Sequence, residues 1–179
     1  QISNLYIAKM ESPCKLATVQ VLLTTPDYDW ERVGFWVNEG PAVIHHGDKL
    51  YLTYSASDTG VAYCVGMLTA TSGTDLLDPL NWRKERHPVL QSSYEKGIYG
   101  PGHNSFTKDE DGNDIMVYHA RTYHTAYPHP SADIFFLTYP FEPSRCIQYV
   151  CNKRAKRPRI QIPLHTFPKR RHCQSTCVH

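Results

Sequence analysis

One glutamate, Glu39, lies between an aromatic and apolar run and a Gly-Pro pair in Gly34-Phe35-Trp36-Val37-Asn38-Glu39-Gly40-Pro41. Apolar neighbours desolvate a carboxyl and favour its neutral form, which suits it to donate a proton near neutral pH. An ordinary strand-edge Glu bonded to backbone or to an arginine fits the same residues. A second polar set stands in Tyr99-Gly100-Pro101-Gly102-His103-Asn104-Ser105-Phe106, where glycines allow close approach of a backbone or ligand. A turn followed by a satisfied histidine is the alternative there. A third, His119-Ala120-Arg121-Thr122-Tyr123, puts His119, Arg121 and Tyr123 on one face of a strand by alternation. Such an arginine can clamp a hydroxylated or anionic ligand, or sit in a solvated salt bridge. The aromatics Tyr6, Tyr28, Trp30, Phe35, Trp36, Tyr51, Tyr54 and Tyr63 suit both sugar stacking and an ordinary β core.

The elements that must hold these groups read as β structure. Short β-branched or aromatic runs at 5–8, 18–23, 41–44, 49–54, 62–68 and 115–118 are bounded by Gly, Pro, Asp, Asn or Ser. His46-Gly47-Asp48 and Asp111-Gly112-Asn113-Asp114 have the residues of tight hairpins. No window holds a 3.6-residue apolar period long enough for a substantial helix, so helices are expected to be minor.

An internal repeat links the first two polar sets. Gly40-Pro41, a strand, Gly47-Asp48 and Leu50-Tyr51-Leu52-Thr53-Tyr54 recur as Gly100-Pro101, a strand, Gly112-Asn113 and Ile115-Met116-Val117-Tyr118, offset by 60 and then 65 residues. Antiparallel hairpins at this period fit one propeller blade per repeat, with Glu39 and His103 at equivalent inner-strand starts facing a common cavity. Two or three blades cannot close a ring, so a propeller read from this chain is expected to be partial.

Charge and cysteine both break near residue 144. Of the 179 residues, 1–144 hold ten Lys/Arg and all seventeen Asp/Glu, a net of −7, whereas 145–179 hold nine Lys/Arg and no acid. The overall formal charge of +2 is the sum of an acidic body and a basic tail. Cys14 and Cys64 are scattered in the body; Cys146, Cys151, Cys173 and Cys177 fall in the tail at C-x4-C and C-x3-C, spacings unlike the usual zinc pairs. The run Lys153-Arg154-Ala155-Lys156-Arg157-Pro158-Arg159 could contact nucleic acid, yet no patterned groove stands behind it, so nucleic acid is not the expected partner. No run approaches the ~18 consecutive apolar residues of a membrane helix, and no membrane partner is expected. Beyond Ile134-Phe135-Phe136-Leu137-Thr138-Tyr139 the Pro-, Arg- and Cys-rich sequence shows no period, and the tail is expected to be poorly ordered. Gln1-Ile2-Ser3-Asn4, without a leader, suggests a start in mid-domain.

With these residues in view, the body resembles glycoside hydrolase family 43, five-bladed β-propeller enzymes acting on arabinose- and xylose-containing polysaccharides. The resemblance rests on Asn4-Leu5-Tyr6-Ile7-Ala8-Lys9-Met10, Pro26-Asp27-Tyr28-Asp29-Trp30-Glu31, Val37-Asn38-Glu39-Gly40-Pro41-Ala42-Val43, Leu52-Thr53-Tyr54-Ser55-Ala56-Ser57, Leu76-Leu77-Asp78-Pro79, Tyr99 to Thr107 and Val117-Tyr118-His119-Ala120-Arg121. It is strongest to the exo-acting α-L-arabinofuranosidases. It implies an all-β partial propeller over 1–123, about two to three blades of four-stranded antiparallel sheets, followed by a divergent tail over 124–179.

For the site, the resemblance implies Glu39 as general acid, substrate contacts from Asn38, His103, Asn104 and Arg121, and His103 at a central calcium or its waters. It implies no cofactor for the chemistry itself. The family's two aspartates, a general base and one that tunes the acid, are expected upstream of Gln1; Asp27 and Asp29 match neither. Without that base the 179 residues alone are expected to be inactive. The complete protein is then an extracellular, inverting hydrolase of plant cell-wall arabinan or arabinoxylan; a propeller that binds carbohydrate without turnover is the alternative.

Overall fold

The structure, a computed structural model, describes residues 2–122 and the backbone of 133–138. Tyr123, the tail cysteines, the basic run and the expected lack of order beyond residue 138 lie outside the described residues. The strands, in chain order, are β1 (Ile2–Ser3), β2 (Leu5–Ile7), β3 (Met10–Ser12), β4 (Lys15–Leu16), β5 (Val21–Thr24), β6 (Trp36–His46), β7 (Lys49–Ala56), β8 (Cys64–Thr71), β9 (Arg83–Lys84), β10 (Tyr99–Lys108), β11 (Asp114–Arg121) and β12 (Asp133–Thr138). Helical structure among the described residues is limited to 3-10 turns at Asp29–Glu31 and Pro79–Asn81.

Strands β6, β7, β8 and β9 form an antiparallel meander, extended at its inner edge by β1, which pairs parallel to β6. Strands β10, β11 and β12 make a second antiparallel meander. β12 falls within the segment that the sequence alone assigns to the tail, so the sheet continues past residue 123. Ahead of the first meander β2 pairs antiparallel with β5, with the β3–β4 hairpin between them in the chain.

Packing shows how these pieces stack. Successive side chains of β7 point to opposite faces, and Tyr51 through Ala56 are buried without interruption. Leu52, Tyr54 and Ala56 join Leu5, Leu23, Cys64 and Leu68, with Trp30 and Trp82 against them. Tyr51 faces the other way, into a cluster with Ile44, Val65, Met67, Ile98, Met116, Tyr118 and Ala120. A sheet covered on both faces by neighbouring sheets is the environment of a blade inside a propeller.

The repeat read from the sequence appears in the backbone, with one correction. Gly-Pro does not stand ahead of the strand; both pairs lie inside long inner strands, β6 and β10. At both places the ladder slips register, between Glu39 and Ala42 and between Tyr99 and Gly102. Gly40 and Gly100 have φ of +56° and +59°, which glycine adopts without the Cβ penalty. Proline has no N–H to give to a ladder, and a bulge is where a strand tolerates it. The bulge re-aims the residue beside it, which is Glu39 in β6.

Candidate active site

The two inner strands meet at their bulged ends. A Cβ built on Gly40 would lie 3.3 Å from His103 Nδ1, so the turn after Glu39 rests against the imidazole. His103 is exposed and has a φ of +50°, a left-handed conformation uncommon for a residue with a side chain. Its backbone N–H donates to Ser55 Oγ at 2.6 Å, tying β10 to β7.

Tyr63 lies beneath this junction. It is 1% exposed, and its hydroxyl donates to Glu39 Oε1 at 2.6 Å. The ring stacks on His119 with centroids 5.8 Å apart and planes 9° apart, and His119 stacks in turn on His103 at 6.2 Å. The slot exists because residue 102 is glycine: a Cβ there would come within 2.2 Å of Tyr63 Cε1. Burial pushes the Tyr63 hydroxyl well above its ordinary range, and its bond to Glu39 pushes the same way. His119 is held below the ordinary histidine value, first by burial and then by His103 and Arg121, with Glu39 opposing.

Glu39 is half-buried, and among the described residues its Oε2 takes no hydrogen bond. One oxygen is therefore held and the other is free to exchange a proton. That arrangement suits a general acid in reach of a substrate oxygen.

The remaining sequence-derived site residues are placed differently. Asn38 is fully buried, and its Nδ2 donates to Glu31 Oε1 at 3.1 Å and to the Val37 carbonyl at 3.0 Å. Asn104 is also buried, with Nδ2 donating to Thr53 Oγ1 at 2.8 Å. Both amides, expected at the sugar, are turned inward, beside the places where the ladder slips register, between Glu39 and Ala42 and between Gly102 and Ser105. Each nevertheless has an Oδ1 that is buried and unpaired among the described residues. Arg121 Nη2 donates to the Thr59 carbonyl, and its Nη1 is buried without a partner among the described residues. Asp27 is paired with Lys84 and accepts from Thr25 Oγ1, consistent with leaving it out of the acid–base set.

A central calcium at His103 fits poorly with what is present. Calcium takes six to eight oxygen ligands, whereas the groups beside His103 are the imidazole of His119 and a Gly-Pro backbone. No group of three or more His, Cys, Asp or Glu among the described residues could hold a metal ion.

The groups that support these side chains are not ones the sequence singles out. Glu31 is buried completely and accepts from the backbone N–H of Asp27 and Tyr28, from Lys84 Nζ, from Tyr54 Oη and from Asn38 Nδ2, all within 3.1 Å. Its position three residues after Tyr28, reaching back to the Tyr28 N–H, follows the pattern of a capping glutamate and was the available signal. Tyr63 carried no signal beyond being an aromatic in a strand-like run.

Comparison with known proteins joins this geometry to a family. The chain is 52% identical over 122 residues to "Extracellular exo-alpha-(1->5)-L-arabinofuranosidase" of Streptomyces avermitilis, covering 68% of this chain and 25% of that protein. It is 49% identical over 122 residues to the protein of the same name from Streptomyces chartreusis, covering 68% of this chain and 37% of that protein. The chain thus spans about a quarter to two-fifths of the length of these curated relatives. In three dimensions it matches the crystal structure of alpha-L-arabinofuranosidase from Lactobacillus brevis with a TM-score of 0.72 at 48% identity, over 75% of this chain and 43% of that one. Stacked meanders with bulged inner strands are thus part of a β-propeller. The model of "Glycosyl hydrolases family 43" matches residues 1–137, running into β12, and with sequence, fold and family model in agreement the chain belongs to that family.

Proposed function

We propose that this chain is the proton-donor segment of an inverting, exo-acting α-L-arabinofuranosidase that removes terminal arabinofuranosyl units from arabinan or arabinoxylan. The observation that carries the reading is Glu39, half-buried on a bulged inner strand, with Oε1 bonded to Tyr63 and Oε2 free among the described residues. The names of the relatives supply the sugar. In the reaction Glu39 Oε2 gives its proton to the glycosidic oxygen as the bond from that oxygen to the anomeric carbon breaks. Water attacks the opposite face of that carbon and passes a proton to a base carboxylate, which inversion places ~6.5–9.5 Å from the acid. His103, the exposed polar group beside the Glu39 turn, is a sugar contact in this reading, and Asn38 and Asn104 hold the strands that present it. Secretion and a plant cell-wall substrate belong to the same proposal. No helix among the described residues is long and apolar enough to cross a membrane.

The test is Glu39→Gln in the complete protein, assayed on an arabino-oligosaccharide and on an aryl arabinofuranoside with a good leaving group. Loss of the acid should lower kcat on the oligosaccharide by ~10²–10⁴-fold and spare the aryl glycoside, which needs little protonation. Equal rates for Glu39→Gln and the parent on the oligosaccharide overturn the assignment. Binding without turnover by the parent favours a non-catalytic propeller instead. The isolated 179 residues are expected to be inactive, and arabinofuranosidase activity from them that Glu39→Gln abolishes would overturn that expectation.

A further inference from the structure

We propose that Tyr63 is a positioning residue for the proton donor: by occupying Glu39 Oε1 with its own O–H, it confines the transferable proton to Oε2. The proposal rests on the reading of Glu39 as the acid.

Tyr63 Oη and Glu39 Oε1 are 2.6 Å apart, a gap that accommodates one proton. Two protons there, one on each oxygen, would face each other. Tyr63 keeps its own, because burial and Glu39 both oppose its ionisation. It is 1% exposed and has no solvent to turn towards. The Ser55 hydroxyl accepts from the His103 N–H at 2.6 Å, so its own proton remains free to point at the phenol oxygen. Ser55 lies within side-chain hydrogen-bonding reach of the phenol. The Tyr63 oxygen is thereby served by Ser55 as a donor, and its proton is directed to Glu39. A series of donors from the His103 N–H through Ser55 and Tyr63 ends on Oε1. When Glu39 is protonated, its proton therefore sits on Oε2.

The packing makes this arrangement fixed. Tyr63 is held edge-on by Gly102, where a Cβ would penetrate its ring, and face-on by the His119 imidazole. These contacts involve the ring and not the hydroxyl, so phenylalanine occupies the slot without rearrangement. The hydroxyl can be removed while the shape stays.

The experiment is Tyr63→Phe in the complete protein, beside Glu39→Gln, on the same two substrates across pH. Removing a donor from a carboxylate raises the carboxyl pKa, so the alkaline limb of kcat/KM should move to higher pH. At neutral pH kcat on the oligosaccharide should fall about tenfold, the scale of one hydrogen bond to a charged group, with KM nearly constant and the aryl glycoside little affected. A structural role would instead lower both substrates together and leave the limb in place, which overturns the proposal, as does an unchanged pH profile. If Tyr63→Phe fails to fold, Ser55→Ala provides the second test, with the limb expected to move because the series of donors is broken further back; an unmoved limb overturns the proposal there also. Inactivity of Glu39→Gln with an unchanged Tyr63→Phe defeats this inference alone, whereas an active Glu39→Gln defeats the assignment beneath it.

Discussion

Two glutamates eight residues apart, Glu31 and Glu39, share a chemical group and differ in everything around it. Glu31 is wholly buried and both of its oxygens are saturated by donors, one of them the Lys84 ammonium at 2.8 Å. Glu39 is half-buried and has one donor, an uncharged phenol. A carboxylate surrounded by donors and paired with a cation has every lone pair committed, so moving a proton onto it breaks several interactions at once. A carboxylate with a free oxygen can take and give a proton while keeping its one anchor. Enclosure by donors thus separates the structural acid from the chemically competent one.

The two are also coupled. Glu31 Oε1 accepts from Asn38, the residue before Glu39, and the 3-10 turn carrying Glu31 is tied to β7 through Tyr54 and to the residue just after β7 through Ser57 Oγ, which donates to the Trp30 carbonyl at 2.7 Å. Lys84 closes the cluster from β9, reaching the Thr25 carbonyl and standing over the rings of Tyr28 and Tyr54. The saturated glutamate holds the strand on which the unsaturated one works.

Loss of Glu31 should have the largest effect on folding. Replacing one member of a buried, hydrogen-bonded ion pair leaves the other charged and unpaired, which costs about 3–5 kcal/mol. Glu31→Ala in the complete protein should therefore lower the denaturation midpoint strongly, whereas Glu39→Ala should change stability by no more than about 1 kcal/mol. Chemical denaturation monitored by tryptophan fluorescence reads both, and comparable losses would refute the distinction. The Lys84 side should behave in the same way. Lys84→Met strands the Glu31 charge and costs about 3 kcal/mol, and Glu31→Gln with Lys84→Met should recover much of it, because no uncompensated charge then remains. The double-mutant cycle gives the coupling directly.

How much of this was legible in the sequence follows from the same physics. Strand runs such as Lys49–Ala56 and Asp114–Arg121 were readable because pleat and turn residues are local signals. Glu39 and His103 are readable because a Gly-Pro pair repeats beside each, although in sequence the pair reads as a strand boundary and in the structure it is a bulge. The inward turn of Asn38 and Asn104 was not, since a bulge shifts the alternation that would otherwise say which face a side chain takes. Glu31–Lys84 and Tyr63–Glu39 span 53 and 24 residues and join different strands and turns, so no local pattern announces them.

A smaller effect is expected where the Glu39 side of the comparison is supported by shape alone. Gly102→Ala puts a methyl group 2.2 Å from the Tyr63 ring, at a backbone that has no positive φ to complicate the reading. Overpacking of this kind costs about 1–3 kcal/mol. Because the ring must move, the Tyr63–Glu39 bond should lengthen as well, so activity on the oligosaccharide should fall together with stability. A stable Gly102→Ala protein with parental activity would show that the slot has slack.

The smallest effect is set by pH. His119, facing Tyr63, His103, Arg121 and Glu39, has its pKa below 6.5, the ordinary histidine value. In the window between its folded pKa and 6.5 the unfolded chain binds a proton that the folded chain does not, so stability falls as pH drops through that window and is fully present above it. Solvent around a partly exposed ring screens the effect, which keeps it the smallest of these. His119→Phe keeps a flat ring against Tyr63 and removes the titration, so the stability difference between the parent and this variant should shrink as pH rises from 6.5 to 8 no further than measurement error, yet widen in favour of the variant below 6.5. A constant difference across the whole range would mean that His119 is as free to ionise in the fold as in the unfolded chain.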